Sequence, residues 1–474
     1  MSGIADWVGF ASLIAALFAV GLRRSCHPQE YLVADRDIGL GRLVATLVMT
    51  EFNTTTLMAF SAFGYRVGPM AVGLPLVFLI GLGFYTATVA RPWKRFNRLS
   101  VAEFFTERYG SGLGRFASAL LVVAMLGFSA TYVKSMTLIF LPFVSGFGPW
   151  WLSLVLTAAV VALTITGGLV SVVRTDVLGF VVSVAILPAL LIIAAWKYGG
   201  LASLGAVFPA GELSFAPVTQ WNHPDLPYWF VLSLTVLTCF TYISSPWYGQ
   251  KIFAARDERT AFLGVGIAAI LVFLLYASVQ TAAAYYRLEN PSLADAQTVV
   301  PRMIEAWFPP LFRGVAFVAL FLAAMTTLAG VWSALAAMVV ADFFPVRLSR
   351  LGRQRALTLA IAAVSWAGAN VLGEDILNRL ILANIPIAAL SFALLAGFHW
   401  KRASRAGAWS SVAVGVSWGI GCYAFVGESG GYTWYWAMYG IPLIFASGFA
   451  VSLLRPDPVR SECEPPHRPL PAYR

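Results

Sequence analysis

The sequence predicts an all-α polytopic membrane protein of about thirteen transmembrane helices, and three observations carry that prediction. The first is composition: 59% of the 474 residues are hydrophobic and only 11% are charged, with a mean hydropathy of +0.77. An ordinary soluble domain does not reach those values. The second is that apolar stretches of about 20 residues, long enough to cross a bilayer, recur along the whole chain. The third is charge placement. Of 32 lysines and arginines, 25 fall on one side of this layout, Lys134 falls inside a span, and six lie on the other side: Arg66, Lys197, Arg287, Arg302, Arg313 and Arg379. That asymmetry puts the N-terminus outside and the C-terminus in the cytoplasm of a plasma (inner) membrane. The net charge of +10 therefore reports topology and does not mark a nucleic-acid binder.

Taken in order, residues 4–22 form the first span, because Asp6 precedes the apolar run where a cleavable signal would carry positive charge. Spans follow at about 46–68, 70–90, 116–141, 149–170 and 175–197. Gly167-Gly168 and Arg174-Thr175-Asp176 mark the turn between the last two. A loop rich in Pro, Gly and Trp leads to spans at about 227–249 and 261–285. The stretch DAQTVVPRMIEAWF suits an interfacial helix, and spans at about 313–341, 354–372, 380–399, 407–426 and 433–454 complete the set. The Pro-rich tail reads as unstructured. Cys26, Cys239, Cys422 and Cys463 form no CxxC pair, and His27, His223, His399 and His467 do not cluster. A disulfide framework or a histidine–cysteine metal site is therefore not expected.

Residues 46–68, TLVMTEFNTTTLMAFSAFGYRVG, organise the chain. Glu51, Asn53, Thr54, Thr55 and Thr56 sit at mid-span, where a carboxylate costs at least ~2.5–3.5 kcal/mol even on lenient insertion scales. A helix broken there exposes carbonyls, which a membrane tolerates only around a cavity or inside protein. Secondary transporters use such breaks to hold a coupling ion. A second interruption is expected at Pro246, in TYISSPWYGQ of the seventh span, because proline removes a donor and clashes with the preceding turn. The two breaks are five spans apart, so two five-helix units would begin on opposite sides of the membrane.

Several segments resemble the sodium/solute symporter family, which includes the sodium/proline and sodium/galactose symporters. YLVADRDIG is similar to the family's YxLxGRxLG, with Asp35 in place of glycine. LSVAEFFTERYG resembles LTxPEFxxxRYG, and GGLVSVVRTDVLGF resembles GGxxAVxxTDxxQ with Gly179 replacing glutamine. GQKIFAAR keeps the spacing of Gln250 and Arg256, and AAMTTLAGVWSALAAMVVAD resembles the ninth span. The matches run in order over about residues 31–345.

The resemblance implies a LeuT-type fold of two inverted five-helix repeats with broken lead helices. Residues 31–199 would form the first repeat and 227–400 the second, with 1–30, the loop 200–226, the peripheral spans of 401–455 and the tail 456–474 outside them. It implies a secondary symporter and not an enzyme, with no cofactor, sodium as coupling ion, a small organic solute and no obligate protein partner. Its sodium ligands fall on the carbonyls of Met49, Phe52 and Ala323 and the hydroxyls of Thr326 and Thr327. Hard neutral oxygens suit sodium, although membrane threonines commonly bond their own helix backbone. Solute contacts fall on Thr55, Thr56, Tyr132, Tyr242, Ser245 and Trp247, residue types that also serve membranes as packing or interfacial anchors. Glu51 and Asp176 fall on the ion path. By this resemblance Thr56 stands where the galactose symporter has its sugar-contacting glutamine and Ser245 where it has its gating tyrosine, while the proline symporter has an aspartate at the position of Glu51. An amino acid or other carboxylate is therefore the expected solute.

By this layout only Glu51 and Lys134 are charges deep in the membrane. At 1.5 Å per residue Glu51 falls slightly inside the midplane and Lys134 about 6 Å outside it, from where the lysine could reach Glu51 or hold a solute carboxylate beside Tyr132. Rival readings are a proton-coupled symporter using Glu51, a sensor on the same fold, and a membrane enzyme. A sensor would carry a signalling domain that the short tail cannot supply. An enzyme would need acid, base or metal groups gathered at one depth.

Overall fold

A computed structural model describes residues 3–21, 36–141, 144, 148–208, 224–344, 351–371, 380–428 and 430–457. The expectations for Cys26, His27, Asp35, His223, Cys463, His467 and the tail lie outside them. The described residues are almost wholly helical. Eight helices are long and apolar enough to cross a membrane, or ten when each sharply bent pair counts as one span.

After α1 (Ile4–Gly21), the second expected span divides into α2 (Leu40–Glu51) and α3 (Thr54–Val67). Asn53 makes this break in two ways. Its Oδ1 accepts from the Thr56 amide at 2.9 Å and caps α3, while its Nδ2 donates to the Glu51 carbonyl at 2.9 Å. Helix α4 (Gly73–Thr88) follows. The basic segment folds into α5 (Ala90–Phe96) and α6 (Ala102–Tyr109), ahead of the long α7 (Ser111–Phe140). The helical stretch α8 (Pro149–Tyr198) is interrupted at Gly168, whose φ of 56° and ψ of −139° suit glycine. The expected turn thus lies at Gly168 alone. Thr175 and Asp176 do not belong to it: they are buried within the second half of α8.

The seventh span also divides, into α9 (Tyr228–Tyr242) and α10 (Pro246–Ala254), bent by 49°. Pro246 does not kink a continuous helix. It opens α10, where its missing N–H and fixed φ carry no penalty. Helix α11 (Glu258–Glu289) is followed by α12 (Val299–Trp307), α13 (Phe312–Asp342) and α14 (Leu351–Val371). Helix α12 buries Val299, Val300, Met303, Ile304 and Trp307 against the bundle, so its apolar face is packed on protein. A third bend, of 40°, separates α15 (Leu380–Ala388) from α16 (Ser391–His399), which the sequence reading took as one straight span. Helices α17 (Arg405–Val426) and α18 (Tyr432–Leu454) complete the chain.

Helix α13 is the hub. Its apolar window is 94% buried, against 22% for α1, 28% for the second half of α8, 28% for α17 and 33% for α18. A helix apolar all round belongs in the middle of such a bundle. Its neighbours include α1, α2, α7, α8, α10 and α14. Close approach elsewhere depends on small residues. A Cβ on Gly64 of α3 would lie 2.2 Å from the Gln280 carbonyl oxygen of α11, whereas one on Gly83 of α4 meets nothing within 4 Å. Gly64→Ala is expected to destabilise the protein by about 1–3 kcal/mol through overpacking, and Gly83→Ala to be neutral or stabilising. Melting curves of the two purified variants in detergent test this, and equal behaviour would refute the packing argument.

Candidate ion and solute sites

Four of the five oxygens expected to hold the ion, those of Met49, Ala323, Thr326 and Thr327, lie together. The Met49 carbonyl, in the last turn of α2, accepts from the Thr327 hydroxyl at 2.9 Å and lies 3.4 Å from the Thr326 hydroxyl. Thr327 Oγ1 is also 3.0 Å from the Ala323 carbonyl, and Thr326 Oγ1 is 2.8 Å from that of Leu322. Each hydroxyl has a single proton, so its two carbonyl contacts share one donor. Bonding back to the helix accounts for one contact per threonine. The contact with Met49 on another helix is what a purely helix-internal role would not produce. All these oxygens are neutral and hard, a set that fits a monovalent cation. Phe52 stands at the break as the C-cap of α2, its ring 4.6 Å from that of Tyr276. Gly179 packs beside the Met49 side chain: a Cβ there would sit 3.0 Å from Met49 Cε.

Beside the break lies a cavity lined by Glu51, Asn53, Thr56, Tyr132, Tyr242 and Trp247, with Phe60, Phe78, Phe128, Thr238, Thr241 and Asn384 among the other walls. The Glu51 carboxylate accepts a hydrogen bond from the Tyr242 hydroxyl across from the other broken span. Tyr276, from α11, braces the unwound backbone: its hydroxyl donates to the Glu51 carbonyl at 2.8 Å and accepts from the Asn53 amide at 2.9 Å.

Four of the expected solute residues therefore line one cavity: Thr56, Tyr132, Tyr242 and Trp247. Three do not. Thr55 turns to α7 and bonds the Ser135 hydroxyl at 2.8 Å. Ser245 caps the break by donating to the Tyr242 carbonyl at 2.7 Å. Lys134 is half-buried and absent from the cavity wall, and among the described residues neither it nor Glu51 forms an ion pair. The structure keeps it apart from both of its expected partners.

The deep ion pair is elsewhere. Asp176 and Lys251 are 0% and 1% exposed and meet at 2.6 Å. The Lys251 ammonium also donates to the Thr46 carbonyl at 3.1 Å and lies 2.7 Å from the Thr46 hydroxyl, which itself bonds Asp176. This corrects the expectation that Glu51 and Lys134 are the only deep charges and that Lys251 belongs to a loop. Counting from the break and not from the end of the span would have revealed it, since Lys251 lies six residues, about 9 Å, past Ser245. Tyr276 also went unnoticed. Its signal was the spacing Tyr276–Gln280, two polar groups one turn apart in an otherwise apolar helix. Lys251→Met should cost about 3–5 kcal/mol by leaving Asp176 buried and unpaired, and adding Asp176→Asn should restore much of it. Melting temperatures of the single and double variants measure the coupling; additive losses would exclude a mutually supporting pair.

Two interrupted helices enclosing an oxygen-lined ion position and an aromatic cavity define a secondary transporter with paired broken helices. The sodium:solute symporter family model matches residues 31–415, and the chain belongs to that family. Its members are secondary transporters, not enzymes, with sodium as the coupling ion. The chain is an integral plasma-membrane protein. It is 27% identical over 409 residues to the sodium/pantothenate symporter of Escherichia coli strain K12, covering 81% of this chain and 82% of that protein. The Haemophilus influenzae sodium/pantothenate symporter is 23% identical over 420 residues, covering 85% and 86%. A solved structure of a Na+-coupled sialic acid symporter in a substrate-bound outward-open state superposes with a TM-score of 0.77. It covers 97% of this chain and 100% of that one at 18% identity, a likeness of fold.

Proposed function

We propose that this chain carries a small organic solute, an amino acid or other carboxylate, into the cell together with sodium by alternating access. The sodium position comprises the carbonyls of Met49, Phe52 and Ala323 and the hydroxyls of Thr326 and Thr327. The solute occupies the cavity walled by Thr56, Tyr132, Tyr242 and Trp247, and Glu51 couples the two. The observation that carries this reading is the contact of the Met49 carbonyl with the Thr327 hydroxyl, 2.9 Å across two helices and two residues before Glu51 enters the cavity. Pantothenate, named for both relatives, is itself a carboxylate, which supports that solute class. Residues 31–199 and 227–400 form the inverted repeats in this reading, with the N-terminus outside and the C-terminus in the cytoplasm.

Thr326→Ala and Thr327→Ala should each raise the sodium concentration for half-maximal uptake several-fold, with Thr327 the more sensitive because its contact to Met49 is shorter. Proteoliposome uptake under imposed sodium or proton gradients tests this against a panel of amino acids and carboxylates. The rival is proton coupling through the buried Glu51 carboxyl; full uptake on a pH gradient without sodium would favour it and end the sodium assignment. Pro246→Ala should slow turnover more than it weakens solute affinity, because the proline separates two half-helices that move apart. Unchanged turnover at normal protein levels would show that the break does not depend on it.

A further inference from the structure

We infer that the cavity is built to hold an ammonium group, so that the transported compound carries a protonated or quaternary amine. This rests on the reading of the cavity as the solute site, and it selects the amine-bearing compounds among those considered there. Charge is the first ground. Glu51 is the one charged residue in the cavity wall among the described residues, and no lysine, arginine or histidine lines it. Lys134 does not reach the cavity, and Lys251 is committed to Asp176 and Thr46. A carboxylate end finds no cationic side chain in this wall and has only the proposed sodium position beside Met49 to balance it, whereas an ammonium end finds Glu51 in the wall itself.

The rings are the second ground. The Tyr242 and Trp247 rings stand at 82° to one another with centroids 6.4 Å apart, and Phe128 meets Trp247 at 5.0 Å and 68°. On the other side, Phe78 meets Tyr242 at 6.0 Å and 89°. All four rings line the cavity beside the Glu51 carboxylate, and aromatic rings with a carboxylate are the side-chain set that recognises organic ammonium groups. The Tyr242 hydroxyl now on Glu51 can turn aside when an N–H or N-methyl group arrives. The Thr241 hydroxyl, which lines the cavity without a hydrogen-bond partner among the described residues, is free for a polar group further along the solute.

Thermal-shift titration of the purified full-length protein in sodium, with matched small probes, tests this. The ammonium probes are tetramethylammonium, ethanolamine, glycine and glycine betaine; glycolate and propionate lack the cationic nitrogen. Ammonium probes are expected to raise the melting temperature in a saturable way, and the two carboxylates to leave it unchanged. Glu51→Gln should weaken the ammonium probes by at least about tenfold, since a desolvated charge partner is lost. Trp247→Leu should weaken them as well, and it supplies the test if Glu51→Gln does not fold. Glycolate or propionate binding as tightly as the amines would overturn the proposal. So would ammonium binding within about twofold of normal in Glu51→Gln, or failure of every ammonium probe to bind. The sodium reading is scored separately, by the shift that sodium alone produces and its loss in Thr327→Ala. A protein that answers sodium but no ammonium probe sinks only this proposal, and ammonium binding indifferent to sodium sinks only the sodium reading.

Discussion

Backbone polar groups inside a bilayer have no water to turn to, and the two helix breaks exist only because side chains answer them. At the first break, Asn53 caps one half-helix and donates to the carbonyl of Glu51 in the other, with the Tyr276 hydroxyl bridging the same two residues. At the second, the Trp93 indole donates to the Ile243 carbonyl at 2.8 Å and Ser245 returns a bond to Tyr242. Asn53 and Ser245 act locally. Tyr276 and Trp93 come from other helices, so each unwound segment is braced by its surroundings. A break held in this way is a fixed feature of the fold, and it leaves the Met49 carbonyl facing α13.

In the proposed reading, the charges are arranged to keep the ion position neutral. Asp176 and Lys251 cancel each other below Met49, at the level of Thr46 on the same helix, and the threonine pair brings no formal charge. An ion held by neutral oxygens is bound by dipoles alone, weakly enough to be released in each cycle. Glu51 is different, because its only side-chain partner among the described residues is the neutral Tyr242 hydroxyl. A buried carboxylate with so little compensation is an expensive feature to retain without a ligand or a cation to meet it.

The all-helical membrane class, both interruptions and the threonine pair were legible in the sequence, because apolar length, proline and mid-span polar residues are local signals; the count was not, since thirteen spans were expected and eight to ten stand among the described residues. Direction around a helix was not. Thr55 and Thr56 differ by ~100° on the helix; that rotation sends one hydroxyl to Ser135 and the other residue to the cavity. Lys134 and Tyr132 are similarly close in sequence and diverge in space. Lys251 was hidden by the break itself. A span assumed to be continuous puts its last residues at the membrane surface, whereas a half-helix starting at Pro246 carries Lys251 into the core. The bend between α15 and α16 follows no run of polar residues, and only the packed structure places it.

Three residues of α2 explain how one site can report to the other. Thr46 is held by Lys251 of α10, Met49 by the threonines of α13, and Glu51 by Tyr242 of α9. Two of these three partners flank the second break, one on each side of it. Any movement of α2 relative to its neighbours must therefore exchange contacts with both halves of the other broken helix. An ion drawing on the Met49 carbonyl and a solute drawing on the Glu51 carboxylate act on the same turn of helix, two residues apart. In the proposed reading, occupying either position changes which hydrogen bonds that turn can offer the other, so coupling would follow from a shared rigid element without a longer chain of contacts.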